Sequence, residues 1–147
     1  MPDARRLARM LRLLALIALA GAACAPADGP RPIVYDREPC ADCRMLISEP
    51  RFAAQLETRA GEILSFDDPG CLLALLAKRE PEVRVLWFHH VREDRWLDAA
   101  HVAFAPTERT PMGYGLGAVD AGSPGALSLA EAQARVAEAG AQPEPRR

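Results

Sequence analysis

The sequence predicts an α+β fold in which two similar small ββαβ units pack as one domain, after a signal peptide and a Pro-rich tether. Short apolar runs rich in β-branched and aromatic residues are mixed with two helical patterns, which is typical of helices packed on antiparallel strands. Residues 63–76 and 116–130 both run from an apolar strand through a turn and a Pro-Gly pair into a helix. This weak similarity favours a repeated unit.

Seven segments have the composition of strands. The clearest is residues 83–89, where β-branched and aromatic side chains dominate. The candidates are residues 45–47, 52–56, 62–66, 83–89, 96–97, 101–104 and 112–119.

Two helices have recognisable start signals. Asp68 is a good N-cap and Pro69 a good first helical residue, so a helix is predicted from there to about Arg79. Ser128 and Glu131 form a capping box for a second helix, and we expect it to end before Gly140.

The N-terminus has the pattern of an export signal. Four arginines precede an uncharged, mainly apolar run of 15 residues, which is shorter than the roughly 20 residues of a spanning helix. Cys24 follows two small residues, which predicts that its thiol is acylated and anchors the protein to a membrane. The alternative is cleavage near residues 20–22, which would release a soluble protein.

The chain divides into four predicted parts. Residues 1–23 are the signal peptide, 24–39 a lipid-anchored tether, 40–140 the folded domain and 141–147 a flexible tail. The net charge is −2 and the chain has no Lys/Arg stripe, which excludes a nucleic-acid partner.

Three sulfur-bearing side chains lie close together at the start of the predicted domain. Cys40, Cys43 and Met45 occur within six residues. In an extended segment the side chains of Cys43 and Met45 project from the same face. A thiolate beside a thioether is a soft donor set, which favours Cu(I). Met112, followed by a glycine, supplies a second thioether that is free to reach the same ion.

Other roles for these residues remain open at this point. Cys40 and Cys43 have the spacing of a thiol–disulfide redox pair, and they could equally form a structural disulfide in an oxidising compartment. Zinc would prefer four ligands, and Cys71 with His89, His90 or His101 could complete such a set, although the spacings match no familiar zinc module. Cys71 is more simply a core thiol, and His101 a structural residue. The sequence contains no catalytic constellation, so we expect that the protein is not an enzyme.

Four segments of the chain resemble the NosL family. Residues 43–55 are similar to its Cys-Gly-Met segment and the Ala-Ala-Gln strand that follows, and residues 66–71 to its Phe-Asp-Asp helix entry. Residues 96–99 and 111–115 resemble its Trp-x-Asp-Ala and Pro-Met-Gly motifs. The segments follow the family's order over residues 40–140. Arg44 departs from the pattern, because the family has glycine there, and Cys40 adds a thiol.

The resemblance implies a periplasmic lipoprotein that binds Cu(I), and we expect the protein to be a monomer. It would supply copper to nitrous-oxide reductase, or to the membrane complex that assembles its copper centres. It also implies a fold of two similar ββαβ units and metal ligation by Cys43, Met45 and Met112, with Cys40 able to join them. A thiol–disulfide oxidoreductase that uses Cys40 and Cys43 is the alternative.

Overall fold

The computed structural model of the chain describes residues 29–141. The predicted signal peptide, Cys24, the start of the tether and residues 142–147 lie outside the described residues. Within residues 29–141, no helix combines the length and apolar character that crossing a membrane requires.

Four strands form an antiparallel sheet in the first half of the domain. They are β1 (Ala54–Thr58), β2 (Ile63–Phe66), β3 (Val83–His89) and β4 (Trp96–Asp98), in the order β2-β1-β3-β4. A short 3-10 helix, Pro50–Phe52, leads into β1. The strand predicted at residues 83–89 has the predicted bounds.

Three strands form a second antiparallel sheet. They are β5 (Val102–Pro106), β6 (Leu116–Asp120) and β7 (Leu127–Ser128), in the order β6-β5-β7. The sequence did not predict β7, because its two residues coincide with the start signal of the following helix. Residues 112–115, predicted as strand, are a loop before β6.

Both predicted helices are present, and their caps form as expected. Helix α1 spans Pro69–Arg79, and Asp68 accepts a hydrogen bond from the N–H of Gly70. Helix α2 spans Leu129–Ala141 and begins with reciprocal bonds between Ser128 and Glu131. The prediction that α2 ends before Gly140 was wrong. Glycine only weakens a helix, by about 1 kcal/mol relative to alanine, and does not by itself terminate it.

A single apolar core joins the sheets and the helices. Phe88 of β3 meets Phe104 of β5 edge to face, with ring centroids 5.1 Å apart. Leu72 from α1 and Val136 from α2 belong to the same buried cluster. Because α1 packs into this core, Cys71 in its first turn is held rigidly.

The α+β class is confirmed, but the repeat of ββαβ units is not. The first half follows the order strand, strand, helix, strand, whereas the second has three strands before its helix. The predicted strand at residues 45–47 is reduced to an isolated bridge between Leu46 and Pro39.

The described part of the predicted tether contacts the domain. The N–H of Arg31 donates to Gln55 Oε1 at 2.8 Å, and Gln55 Nε2 donates back to the Arg31 carbonyl at 3.0 Å. The side chains of Ile33 and Tyr35 pack against the core. Residues 29–39 therefore approach the cysteine turn along the surface of the first sheet.

Candidate metal centre

Cys40 and Cys43 lie at the two ends of a tight turn that is fastened to the fold on both sides. The N–H of Cys40 donates to the Met45 carbonyl at 2.8 Å, and the N–H of Ala41 donates to the Ser65 carbonyl of β2 at 2.9 Å. The ammonium of Lys78, near the end of α1, lies 3.0 Å from the Asp42 carboxylate. These contacts fix the position of the turn over α1.

Arg44 closes the turn in a conformation that favours glycine. Its φ is 68°, in the left-handed region, and its N–H donates to the Cys40 carbonyl at 3.1 Å. A residue with a Cβ pays roughly 1–2 kcal/mol for this conformation.

Cys71 joins the two cysteines of the turn. It lies in the first turn of α1, behind the cap formed by Asp68. The Sγ atoms of Cys40, Cys43 and Cys71 all lie within 4.8 Å of one another, and all three are free thiols. Cys40 and Cys71 are fully buried, whereas Cys43 is half-buried. These three residues are called the thiol cluster below.

Hydrogen bonds favour a thiolate at Cys40. The Cys71 thiol donates to its sulfur, and this lowers the pKa of Cys40 to about 5 against the opposing effect of burial. The backbone N–H groups of Asp67, Cys43 and Asp42 also converge on this sulfur and lower its pKa further. Oriented backbone N–H groups form concave sites for anions in proteins. These hydrogen bonds all favour the charged form of the Cys40 sulfur.

The other two thiols keep their protons more firmly. The pKa of Cys71 is raised, first because its S–H donates to Cys40 and second because it is buried. Burial likewise raises the pKa of Cys43, which receives one backbone N–H, from Met45. A cation that displaces these protons would bring three thiolates together around itself.

Met45 and Met112, the predicted thioether ligands, belong to segments that border the thiol cluster. Met45 is two residues beyond Cys43, and its side chain is 60% exposed. Met112 is 40% exposed. The N–H of Met112 donates at 3.0 Å to Asp68, the residue that caps the helix carrying Cys71.

Tyr114 covers the helix end beside the thiol cluster. Its ring lies directly over Gly70, where an added Cβ would come within 2.0 Å of the Tyr114 Cγ. Burial raises the pKa of Tyr114 to about 12, and the nearby sulfurs of Cys71 and Cys43 contribute. The loop that carries Met112 is therefore held close to the cysteines.

The arrangement of the thiol cluster suits a metal ion. Three sulfur donors converge from two rigid elements, so that little reorganisation is needed to bind an ion. The donors are soft, and soft donors select Cu(I), zinc or iron–sulfur clusters over Mg, Ca or Mn. The three cysteines can therefore bind a metal ion.

The histidines of the described region make other contacts. His101, a candidate ligand from the sequence, is exposed, and its Nδ1 lies 2.8 Å from Asp98 Oδ1. His90 lies close to Glu93 and Asp120, but its Nδ1 accepts hydrogen bonds from the backbone N–H groups of Arg92 and Glu93. The ring proton of His90 must then be on Nε2, so neither nitrogen offers a lone pair to a metal.

Arg95 forms ion pairs with the two acidic residues that lie close to His90. Its guanidinium binds the carboxylates of both Glu93 and Asp120. The group is therefore a network of surface ion pairs.

Comparison of the chain with protein-family models, with curated proteins and with solved structures finds no match. The resemblance to the NosL family therefore stays a prediction based on the sequence motifs.

The sequence favoured a core thiol at Cys71, and the place of Cys71 in the thiol cluster was not predicted. Cys71 is indeed buried within the core, but its sulfur faces the cysteine turn. One signal was available: Asp68 and Pro69 place Cys71 in the first turn of a helix, where the helix dipole favours a thiolate.

Proposed function

We propose that this protein is a periplasmic Cu(I) metallochaperone that delivers copper for the assembly of the copper centres of nitrous-oxide reductase. One observation carries the proposal. Three cysteine sulfurs lie within 4.8 Å of one another beside an exposed methionine. Copper is the cargo of such a protein and is bound in order to be released.

The number and the type of donors favour Cu(I) over zinc. Structural zinc sites in proteins are almost always tetrahedral with four ligands. The thiol cluster offers three, and no His, Asp or Glu of the described residues joins it within the same distance. Cu(I) is stable with three sulfur ligands, and the thioethers of Met45 and Met112 are donors that zinc rarely uses.

The position of Cys43 favours delivery over permanent storage. Cys40 and Cys71 are buried, but Cys43 is half-buried at the edge of the cluster. An acceptor's ligand can reach the ion beside Cys43 without unfolding the domain. A donor that releases its cargo needs such an accessible ligand.

The destination of the copper and the location of the protein rest on the sequence. The apolar N-terminal segment and Cys24 favour export and lipid anchoring. The NosL-like motifs favour nitrous-oxide reductase, or its membrane assembly complex, as the acceptor. An anchored monomer would keep the thiol cluster close to that membrane-bound partner.

The alternative function, thiol–disulfide exchange by Cys40 and Cys43, receives less support from the geometry. A reactive cysteine needs both a lowered pKa and access to its substrate. Cys40 has the lowered pKa but is fully buried, whereas Cys43 is accessible but has a raised pKa. The two requirements fall on different residues.

Anaerobic titration of the reduced chain with Cu(I), against a chromophoric chelator, tests the proposal. Cys24→Ser removes the only cysteine outside the cluster, and Cys43→Ser is the matched variant within it. We expect tight one-to-one binding that weakens at least about tenfold in the Cys43→Ser variant, a loss of 1.4 kcal/mol or more. A chain that never competes with the chelator would refute the copper function, and a reversible Cys40–Cys43 redox couple would then favour the alternative.

A further inference from the structure

The sulfur atoms around the thiol cluster fall into two groups that differ in burial. Cys40 and Cys71 have no exposed surface, and Cys43 is half-buried. Met45 and Met112 are 60% and 40% exposed. A single ligand set that used all five sulfurs would have to draw two solvent-exposed side chains into a pocket that is already lined by three thiols.

Hydrogen bonds to the sulfur atoms distinguish Cys40 from Cys43 in the same way as burial does. The Cys71 thiol contacts both other sulfurs, but the sulfur of Cys40 receives three backbone N–H groups and the sulfur of Cys43 only one. Donors that are fixed by the fold hold a ligating sulfur in place. Cys43 is therefore the least firmly held of the three thiols and the one nearest the solvent, so it can stay bound to an ion that moves outward.

The two thioethers are attached through separate elements, the cysteine turn and the entrance to the helix that carries Cys71. The backbone of Met45 bonds to the cysteine turn, because its carbonyl accepts the N–H of Cys40 at 2.8 Å. Met112 is held through Asp68 at the entrance to the helix that carries Cys71. Both therefore stay near the cluster while their side chains remain in solvent.

Three exposed apolar side chains lie in the segments that border the thiol cluster, and they are called the rim below. Four large hydrophobic side chains of residues 29–141 are exposed, and three of them are Met45, Leu46 and Met112. Exposed methionines are adaptable contact residues at protein interfaces. This rim suits a partner that presents soft sulfur ligands on an apolar surface.

We infer that the site has two stations that share Cys43. Cys40, Cys43 and Cys71 form an inner station that holds Cu(I) with three thiolates. Met45 and Met112 form an outer thioether station, to which the ion moves as it leaves Cys40 and Cys71 and from which the acceptor takes it. Copper stays Cu(I) throughout, and Cys71 and Cys43 regain protons from solvent as they are released, whereas Cys40 remains a thiolate, as it is in the metal-free protein. The inference rests on the copper function proposed above and assigns separate roles to its ligands.

The experiment compares equilibrium affinity with the rate of release. The Cys24→Ser chain is loaded with one equivalent of Cu(I), and X-ray absorption counts its sulfur ligands. Stopped-flow mixing with a large excess of bathocuproine disulfonate then gives the transfer rate. The variants are Met45→Leu with Met112→Leu, Cys71→Ser, and Leu46→Ala. The last removes exposed apolar surface at the rim without removing a sulfur.

The two stations predict opposite effects for the two kinds of variant. The double methionine variant should keep its affinity within about threefold, or about 0.7 kcal/mol, but should transfer copper about tenfold more slowly. Cys71→Ser should lower the affinity at least about tenfold, and Leu46→Ala should change neither quantity. The loaded parent chain should show three sulfur ligands, a result that requires no variant to fold.

Other outcomes would overturn the inference in distinguishable ways. If the methionine variant loses as much affinity as Cys71→Ser, the thioethers are resident ligands and one station suffices, although the copper function stands. An unchanged transfer rate would also remove the outer station. If the parent chain binds no Cu(I), both the copper function and the two stations are refuted.

Discussion

The backbone N–H of Met112 donates to Asp68 Oδ2 at 3.0 Å, across 44 residues of sequence. The other oxygen of the same carboxylate, Oδ1, accepts the N–H of Gly70 at 2.8 Å. Asp68 is fully buried, so each oxygen has exchanged water for one of these donors. One side chain thus begins the helix that carries Cys71 and fixes the loop that carries Met112.

Asp68→Asn should break one of these two hydrogen bonds and keep the other. An asparagine has one acceptor oxygen, so either Gly70 or Met112 must face the amide NH₂ and lose its acceptor. A buried donor without a partner costs about 1–3 kcal/mol, and we expect that loss in the free energy of unfolding by urea.

Asp68→Ala is the matched variant for this position. It removes both acceptors and should be less stable than Asp68→Asn. Hydrogen exchange at the Met112 and Gly70 amides should show which bond the asparagine keeps. Equal stability of the parent and both variants would show that Asp68 does not hold the loop.

Gly70→Ala should destabilise the protein, although alanine normally favours a helix. The added Cβ would lie 2.0 Å from the Cγ of Tyr114 and must displace its ring. We expect a loss of about 1–3 kcal/mol, which is typical of an overpacked contact. Thermal unfolding in a Tyr114→Ala background provides the control. There the same substitution should be neutral or stabilising, and destabilisation in both backgrounds would place its cause elsewhere.

Arg44 provides a test of backbone strain beside the thiol cluster. Arg44→Gly and Arg44→Ala both remove the guanidinium, but only glycine adopts a φ of 68° without cost. Arg44→Gly should therefore be more stable than Arg44→Ala by about 1 kcal/mol in urea unfolding. At most positions of a folded chain the order is reversed. If alanine is the more stable here as well, the left-handed turn does not form in solution.

Local signals in the sequence were sufficient for much of the fold. Residues 83–89 form a strand and α1 begins at Pro69, because side-chain shape, capping and the missing proline N–H act over a few residues. The two-residue strand β7 could not be predicted from local signals. It exists because it pairs with β5, a tertiary contact that no local pattern encodes.

The candidate site was predicted only in part, for the same reason. Cys40 and Cys43 are close in sequence, so their spacing was informative, whereas Cys71 comes from a separate helix. Its sulfur reaches the cluster because α1 packs beneath the cysteine turn, where Lys78 also meets Asp42. The exposure of Met45 likewise depends on the path of the chain after the left-handed residue Arg44.

The protonation of the thiol cluster should give a distinct pH dependence. The pKa of Cys40 is lowered to about 5, chiefly by the Cys71 thiol. In the reduced, metal-free protein one thiolate should therefore persist as the pH falls from neutral, and its ultraviolet absorbance should disappear near pH 5. On unfolding, the pKa of this thiol returns to about 8.5. Between these values the unfolded chain binds more protons, so the contribution of Cys40 to the free energy of unfolding rises with pH.

Two substitutions of Cys71 test the cause of that lowered pKa. Serine keeps a hydroxyl that can donate to the Cys40 sulfur, whereas alanine has no donor. In absorbance titrations of the Cys24→Ser chain, Cys71→Ser should keep the midpoint close to that of the parent, and Cys71→Ala should move it upward. If both variants titrate like the parent, the backbone N–H groups of Asp67, Cys43 and Asp42 hold the thiolate by themselves. If no thiolate is present at neutral pH even in the parent, the hydrogen bonds to the Cys40 sulfur do not lower its pKa, and the metal must displace a proton from all three thiols.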